Sequence, residues 1–253
     1  ALVADDATYT LTPTCDGGTA SISGTTGGTF TFNTAPIDAA IIDGATGTIT
    51  GGTSNTNYDI LYTTAGVCPD VLNLQVTSLT LDDATFTLTP SCDGGTASVS
   101  GTSGGTFTFN TAPTDAAVID PSTGTITGGT PNTNYSVLYT TSGACPTSLV
   151  VDVLSSTSDD PSFTLTPNCG GITANVTGTV GGSFSFDVAP TDGALINPVT
   201  GEITGGIAGS SYDVLYATVG LCAASSVQTA SSFATPSAPT AGTNSEYCST
   251  VPF

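Results

Sequence analysis

Alternation with a period of two runs through the chain. Tyr9 and Leu11 alternate with Thr8, Thr10 and Thr12, and Phe30 and Phe32 with Thr29 and Thr31. Tyr58, Ile60 and Tyr62 share one parity; Leu72, Leu74 and Val76 share another. Such patterns of β-branched and aromatic residues predict half-buried strands. Gly17-Gly18, Gly27-Gly28 and Gly51-Gly52 punctuate them where turns call for positive φ. The first stretch predicts about seven strands, over 8–12, 19–24, 29–33, 39–43, 48–50, 58–64 and 71–77. No segment has a helical period.

The pattern then recurs. Cys15, Cys92 and Cys169 are spaced by 77 residues, as are Cys68, Cys145 and Cys222, and so are Tyr58, Tyr135 and Tyr212. Between 5–69 and 82–146 only 13 of 65 positions differ, with Ile/Val, Ser/Thr and Phe/Tyr swaps among them. A unit of this size makes a small domain, unlike a short solenoid unit that needs stacked neighbours. The expected fold is all-β, a tandem array of small seven-stranded immunoglobulin-like β-sandwich domains. Expected boundaries are 1–78, 79–155 and 156–233, with 234–253 a linker and the start of a further module. Leu2-Val3-Ala4 stands where Leu79-Thr80-Leu81 leads into the next copy, and no Lys/Arg-led signal peptide opens at Ala1. The chain is therefore read as an excerpt of a longer array.

Composition narrows the function. The 253 residues include 20 Asp and Glu but no Lys, Arg, His, Met or Trp, for a net charge of −20. With no cation to neutralise phosphates, neither nucleic acid nor an anionic membrane surface is an expected partner. With no His or Lys there is no ordinary general base near neutral pH, no Ser-His-Asp or Cys-His machinery and no Schiff-base lysine, so an enzyme is not expected. Lys-dependent isopeptide crosslinks are excluded as well. A hydrophobic fraction of 38% argues for folded structure despite the charge. No apolar run approaches the ~20 residues that span a bilayer.

Each copy carries two cysteines 53 positions apart, and Cys248 is left over. No copy supplies four zinc ligands. One disulfide per domain is the economical reading, pairing Cys15–Cys68, Cys92–Cys145 and Cys169–Cys222, in an oxidising compartment. The alternation of seven strands sets the turn before the second strand and the turn after the sixth at opposite ends of a sandwich. A bridge from Cys68 to Cys92 is therefore the open alternative, and Cys248 is expected to pair beyond Phe253.

The stretch Ile119-Asp120-Pro121-Ser122-Thr123-Gly124-Thr125-Ile126-Thr127-Gly128 resembles a signature of bacterial immunoglobulin-like and cadherin-like surface repeats. With Cys92-Asp93-Gly94-Gly95-Thr96-Ala97 and Gly105-Thr106-Phe107-Thr108-Phe109-Asn110, the copy is similar to tandem repeats of large Bacteroidetes surface proteins of the gliding-motility adhesin type. The resemblance implies an extracellular location and export by the type IX pathway. The first copy departs from it at Gly44 and the third at Asn197.

That kinship makes the Asp pairs at the junctions calcium candidates: Asp5 and Asp6, Asp82 and Asp83, Asp159 and Asp160. Hard oxygen ligands suit that ion; the competing reading is a solubilised linker that starts a strand. Asp16 and Asp93 are possible helpers, where the third copy has Gly170. Asp38, Asp115 and Asp192, with Asp43 and Asp120, are expected to hold turns. Tyr58, Tyr62, Tyr135, Tyr139, Tyr212 and Tyr216 are expected in the core. Abundant Thr and Ser offer sites for covalent O-glycans, and Asn134-Tyr135-Ser136 and Asn175-Val176-Thr177 are formal N-glycosylation sequons. The function expected is an extracellular structural or adhesive rod on a bacterial surface, its partners neighbouring repeats, other copies of itself, or surface glycans. The alternatives are a protomer of a secreted filament and a carbohydrate-binding or spacer module beside a hydrolase.

Overall fold

The structure, a computed structural model, describes residues 3–168 and 171–234. All of its regular structure is β, and the 21 strands fall into three sets of seven. In the first repeat these are β1 (Tyr9–Thr14), β2 (Gly17–Ile22), β3 (Thr29–Phe32), β4 (Ile41–Ile42), β5 (Ile49–Thr50), β6 (Asn57–Thr63) and β7 (Val71–Thr77). The second has β8 (Phe86–Ser91), β9 (Gly94–Val99), β10 (Thr106–Phe109), β11 (Val118–Ile119), β12 (Ile126–Thr127), β13 (Asn134–Thr140) and β14 (Ser148–Leu154). The third has β15 (Phe163–Asn168), β16 (Gly171–Val176), β17 (Ser183–Phe186), β18 (Leu195–Ile196), β19 (Ile203–Thr204), β20 (Ser211–Ala217) and β21 (Ser225–Ser231).

Each set makes two sheets, ordered β1-β2-β5-β4 and β3-β6-β7 in the first repeat, with the same order in the others. That is the strand order of a constant-type immunoglobulin sandwich. Every strand pairing is antiparallel and stays within its own repeat. The seven-stranded expectation holds, although the strand expected over 39–43 is only Ile41–Ile42. Side-chain bonding from Asp38 and Asp43 claims the flanking amides: Asp38 accepts from Ala40 N–H, and Asp43 from those of Ala45 and Thr46. These residues turn instead of pairing.

The parity read from the sequence sets the cores. Tyr58, Ile60 and Tyr62 face inward with Tyr9, Phe30, Ile49 and Val76. Phe86, Phe107, Ile126, Tyr135, Val137, Tyr139 and Val153 form the second core. Phe163, Ile172, Phe184, Ile203, Tyr212, Val214 and Tyr216 form the third. Aromatic contact is close: the ring centroids of Phe107 and Tyr139 lie 4.4 Å apart. All six Tyr expected inside are there. The chain divides into two compact units, Ala1–Ser156, which holds the first two repeats, and Thr157–Phe253, which holds the third.

The signature stretch is the turn between the fourth and fifth strands of each repeat. Asp120 Oδ1 accepts the N–H groups of Ser122 and Thr123, and Gly124 follows at φ 66°. A Cβ at Gly124 would lie 2.6 Å from that of Ala97, so only glycine fits both the backbone and the space. In the third repeat Asn197 Oδ1 accepts from Val199 and Thr200 in the same way. An amide oxygen serves as well as a carboxylate here, and the departure leaves the turn intact.

Candidate functional site

The site grows out of where each sandwich places its two cysteines. Cys15 sits in the two-residue turn between β1 and β2, where Thr14 pairs with Gly17. Cys68 sits in the connection from β6 to β7. Leu79, just past β7, donates its N–H to Thr14 O at 2.8 Å, so β7 ends beside the Cys15 turn and begins at the far end. Seven residues of strand at ~3.3 Å each separate the two cysteines by roughly 20 Å. A disulfide needs Cα atoms within about 7 Å. A bridge inside one repeat is out of reach.

The bond instead crosses to the next repeat. Cys15 is joined to Cys145, with Cα atoms 5.5 Å apart and 130 positions between them in sequence. This overturns the expected pairs Cys15–Cys68 and Cys92–Cys145, and also the alternative Cys68–Cys92, because Cys68 is a free thiol. Cys92 and Cys222, each one repeat further along than Cys15 and Cys145, are disulfide-bonded as well. Cys169, Cys248 and residues 235–253 lie outside the described residues.

The disulfide runs alongside the peptide linker. Thr14 O, next to Cys15, accepts from Leu79 N–H, and Asp82 N–H donates to Cys145 O at 2.9 Å. Three residues of chain after Leu79 therefore bridge the same gap that the sulfurs bridge. Asp82 also orients the loop: its Oδ2 accepts Gly143 N–H at 2.8 Å, two residues before Cys145. A Cβ on Gly143 would meet Asp82 Oδ1 at 2.4 Å, which is why glycine stands there. Asp5 makes the same contacts to Gly66 N–H and Cys68 O, and Asp159 to Gly220 N–H and Cys222 O.

The second Asp of each pair serves another loop. Asp83 Oδ1 accepts Thr85 N–H and the Thr85 hydroxyl, while Asp83 N–H donates to Thr102 Oγ1. Hydrogen bonding from Thr85 holds the Asp83 carboxyl below its ordinary range, as Thr8 does for Asp6 and Ser162 for Asp160. The two carboxylates of a pair are thus spent on different loops. Asp93 Oδ1 accepts from Ser91, and its Oδ2 from Gly128 N–H at 3.3 Å. Asp16 is bonded in the same way to Thr14 and Gly51. Among the described residues no three His, Cys, Asp or Glu side chains gather into a metal-holding group.

Asp115 has a structural post near Asp93, whose carbonyl accepts the Gly129 N–H. Its Oδ2 accepts from Tyr135 Oη at 2.6 Å and from the N–H and hydroxyl of Thr130. These bonds, led by the tyrosine, lower its pKa to about 2. Asp192 is lowered to about 2 by Tyr212 and the Ile207 N–H. Asp38 is pulled well below the carboxylate range by Tyr58 and Thr53. The sequence reading placed these acids in turns; it did not single out the glycines two residues before each loop cysteine. Their 77-residue spacing was the available signal.

No family model matches the chain, and no curated protein matches it. Among solved structures it is similar to protocadherin gamma B2 extracellular cadherin domains 3–6, at 10% identity and TM-score 0.27, covering 92% of this chain and 77% of that one. It is also similar to mouse cadherin-23 EC22-24, at 12% identity and TM-score 0.23, covering 92% and 94%. The human desmocollin-1 ectodomain matches at 13% identity and TM-score 0.27, covering 83% and 55%. Similarity of this degree carries no ligand, partner or activity over to the chain. Among the described residues no helix is long and apolar enough to cross a membrane.

Proposed function

We propose that this chain is part of an extracellular structural or adhesive array, in which the first two β-sandwiches are fastened covalently to one another. The observation that carries the reading is the Cys15–Cys145 disulfide beside the linker. Neighbouring domains joined by a linker alone move relative to one another by default. A second covalent connection at the same junction restricts that motion and shares any load along the chain. Disulfides persist in oxidising compartments, which supports an extracellular setting. The −20 charge keeps such surfaces soluble and mutually repellent.

The domain boundaries that go with this reading are 1–78, 79–155 and 156–233. The signature around Asp120-Pro121 supports attachment to a bacterial surface of the gliding-adhesin type, where near-identical domains add reach without new chemistry. The chain is not a catalyst in this reading, since it has no His or Lys to serve as a general base near neutral pH. Nor does burial of Tyr58, Tyr62, Tyr135 and Tyr139 leave those rings as a sugar platform. Calcium at the Asp pairs and glycans on Thr and Ser belong to the array reading as additions and do not support it.

Small-angle scattering of the oxidised and reduced chain tests the proposal. The oxidised protein should give the narrower distribution of end-to-end distances, and reduction should broaden it with β-type circular dichroism unchanged. Identical curves would remove the stapling role. Specific binding of oligosaccharides on an array by the oxidised chain would favour a carbohydrate-binding module instead.

A further inference from the structure

We propose that a groove present in each repeat takes a cationic side chain of a basic partner polypeptide, its charged head against a carboxylate and its alkyl stem against an Ala-Pro wall. The inference goes beyond the stapled array, which calls for no ligand. The groove lies between the loop after the third strand of a repeat and the paired sixth and seventh strands. Its volume is about 500 Å³ in the first repeat, 390 Å³ in the second and 360 Å³ in the third. Ala35-Pro36, Ala112-Pro113 and Ala189-Pro190 line it in turn, each time with a carboxylate from the strands. That carboxylate is kept although its position is not. Asp59 on β6 faces Gln75 on β7, whereas in the second repeat Ser136 stands on β13 and the acid, Asp152, on β14. In the third repeat the acid returns to the sixth strand, as Asp213 opposite Thr229. An acid needed only to hold a loop could not change strands in this way, because its bonding partners would not follow it.

These carboxylates also have oxygen to spare. Asp59 Oδ2 accepts from Asn33 Nδ2 at 2.8 Å and from the Thr34 hydroxyl at 3.2 Å, whereas its Oδ1 is buried with no partner. Asn33 leads in lowering the Asp59 pKa and the Asn73 and Gln75 amides add to it, yet neither of these two closes a bond to Oδ1. A charged acceptor left unpaired out of water is costly, and an N–H of a bound cation satisfies it once the exposed Gln75 side chain turns aside. Among the described residues the exposed Asp152 carboxylate accepts no hydrogen bond. Asp213 has the Thr229 hydroxyl on Oδ1 at 2.6 Å. Beside it Asp187 takes the position from which Asn33 reaches Asp59, so a second carboxylate replaces an amide donor there. Two neighbouring like charges favour a cation. The chain has no Lys, Arg or His to supply one, and its −20 charge draws a basic partner. The aliphatic wall suits the stem of such a side chain, while the rings of Tyr58, Tyr135 and Tyr212 are buried and offer a sugar no stacking face. One groove in each repeat suits a partner with several cations, because linked sites add avidity.

The test is a titration of the oxidised 253-residue chain with an oligolysine peptide at physiological ionic strength, followed by amide NMR shifts. In the second repeat the shifts should concentrate at 111–114, 134–136 and Asp152. Replacing Asp59, Asp152 and Asp213 together by Asn should weaken binding at least about tenfold, as the loss of charge-assisted hydrogen bonds implies. Asp152→Asn alone should erase the shifts of the second groove and leave the other two responding. Its carboxylate holds nothing in the fold, so that loss cannot be laid to unfolding. Glu202→Gln removes an equal charge from an exposed site outside the grooves and should change affinity little. Equal weakening by Glu202→Gln and Asp152→Asn, or shifts spread over all the acids, would overturn the proposal and leave only diffuse attraction to net charge. The same shifts from a neutral oligosaccharide would overturn it as well. Spermidine binding the grooves as tightly as oligolysine would overturn the polypeptide as partner and assign them to free polyamines.

Discussion

Replacing Cys15 with Ser should do more than lower stability; it should change how the first two repeats unfold together. If only the second repeat unfolds, its ends are held at Leu79 and, through sulfur, at Cys15, so the disulfide closes a loop of about 65 residues. Chain entropy sets that constraint at about 4 kcal/mol. The same value applies if only the first repeat unfolds. When both unfold, the closed loop spans the 130-position separation, and the constraint is about 5 kcal/mol, far less than the sum of the two. A state with one repeat unfolded is thus raised by about 4 kcal/mol, and the second repeat follows at about 1 kcal/mol more. The disulfide suppresses the half-unfolded state and couples the pair.

Urea titration followed by circular dichroism and tyrosine fluorescence reads this directly. The oxidised chain should show a steep transition for the linked repeats, because the slope scales with the surface exposed in one step. Cys15→Ser and Cys145→Ser should both give an earlier midpoint and a shallower slope, and Cys68→Ser in the monomer should match the parent. A parent chain whose first two repeats melt independently, or a Cys68→Ser variant as weakened as Cys15→Ser, would refute the reasoning.

Three further outcomes follow from the same contacts. Phe107→Ala removes a ring that is 2% exposed, and it should cost about 3–5 kcal/mol in urea denaturation of the second repeat. Tyr139→Phe strips a hydroxyl that donates to Thr102 O at 2.7 Å and accepts Gly105 N–H, and should cost about 1–3 kcal/mol by the same measurement. Asp115 has a folded pKa of about 2 against an ordinary 3.8, so its contribution is complete above pH 4 and is lost as pH falls through 2; Asp115→Asn should be less stable at neutral pH and flatten the acid limb of the melting profile.

The repeat, the strand alternation and the core parity were legible because each is a local pattern of residue types. Tyr58, Ile60 and Tyr62 announce a buried face without reference to any other strand. The same holds for Asp120 and Gly124, whose turn is closed within five residues. The pairing of cysteines is of another kind. Spacing along the sequence said that each repeat has two, and economy joined them, but a bond depends on which ends of the sandwich they occupy. Strand alternation already set Cys15 and Cys68 at opposite ends, and that argument outweighs economy. What the sequence could not supply was the identity of the facing surface, because the linker Leu79–Asp82 decides which loop of the second repeat meets the Cys15 turn. The separate posts of the two acids in each Asp pair were hidden for a related reason. Two adjacent carboxylates suggest shared ligation until their separate partners, Gly143 and Thr85, are known.

A sandwich with one cysteine at each end cannot close a bond on itself, yet it can hand one bond forward and receive one from behind. Any number of identical copies then extends the series with every internal cysteine satisfied, and only the two end positions remain open. A disulfide inside each repeat would have stabilised every bead and left every linker loose. Placing it across the junction makes two repeats share one constraint, about 5 kcal/mol for the pair where two private bonds would give about 4 each, and gains resistance to the bending and separate unfolding of neighbours. For a chain whose first two repeats differ at so few positions, and whose junction acids Asp5, Asp82 and Asp159 hold the loops that carry the cysteines, that exchange is intelligible if length and continuity are what the array must preserve.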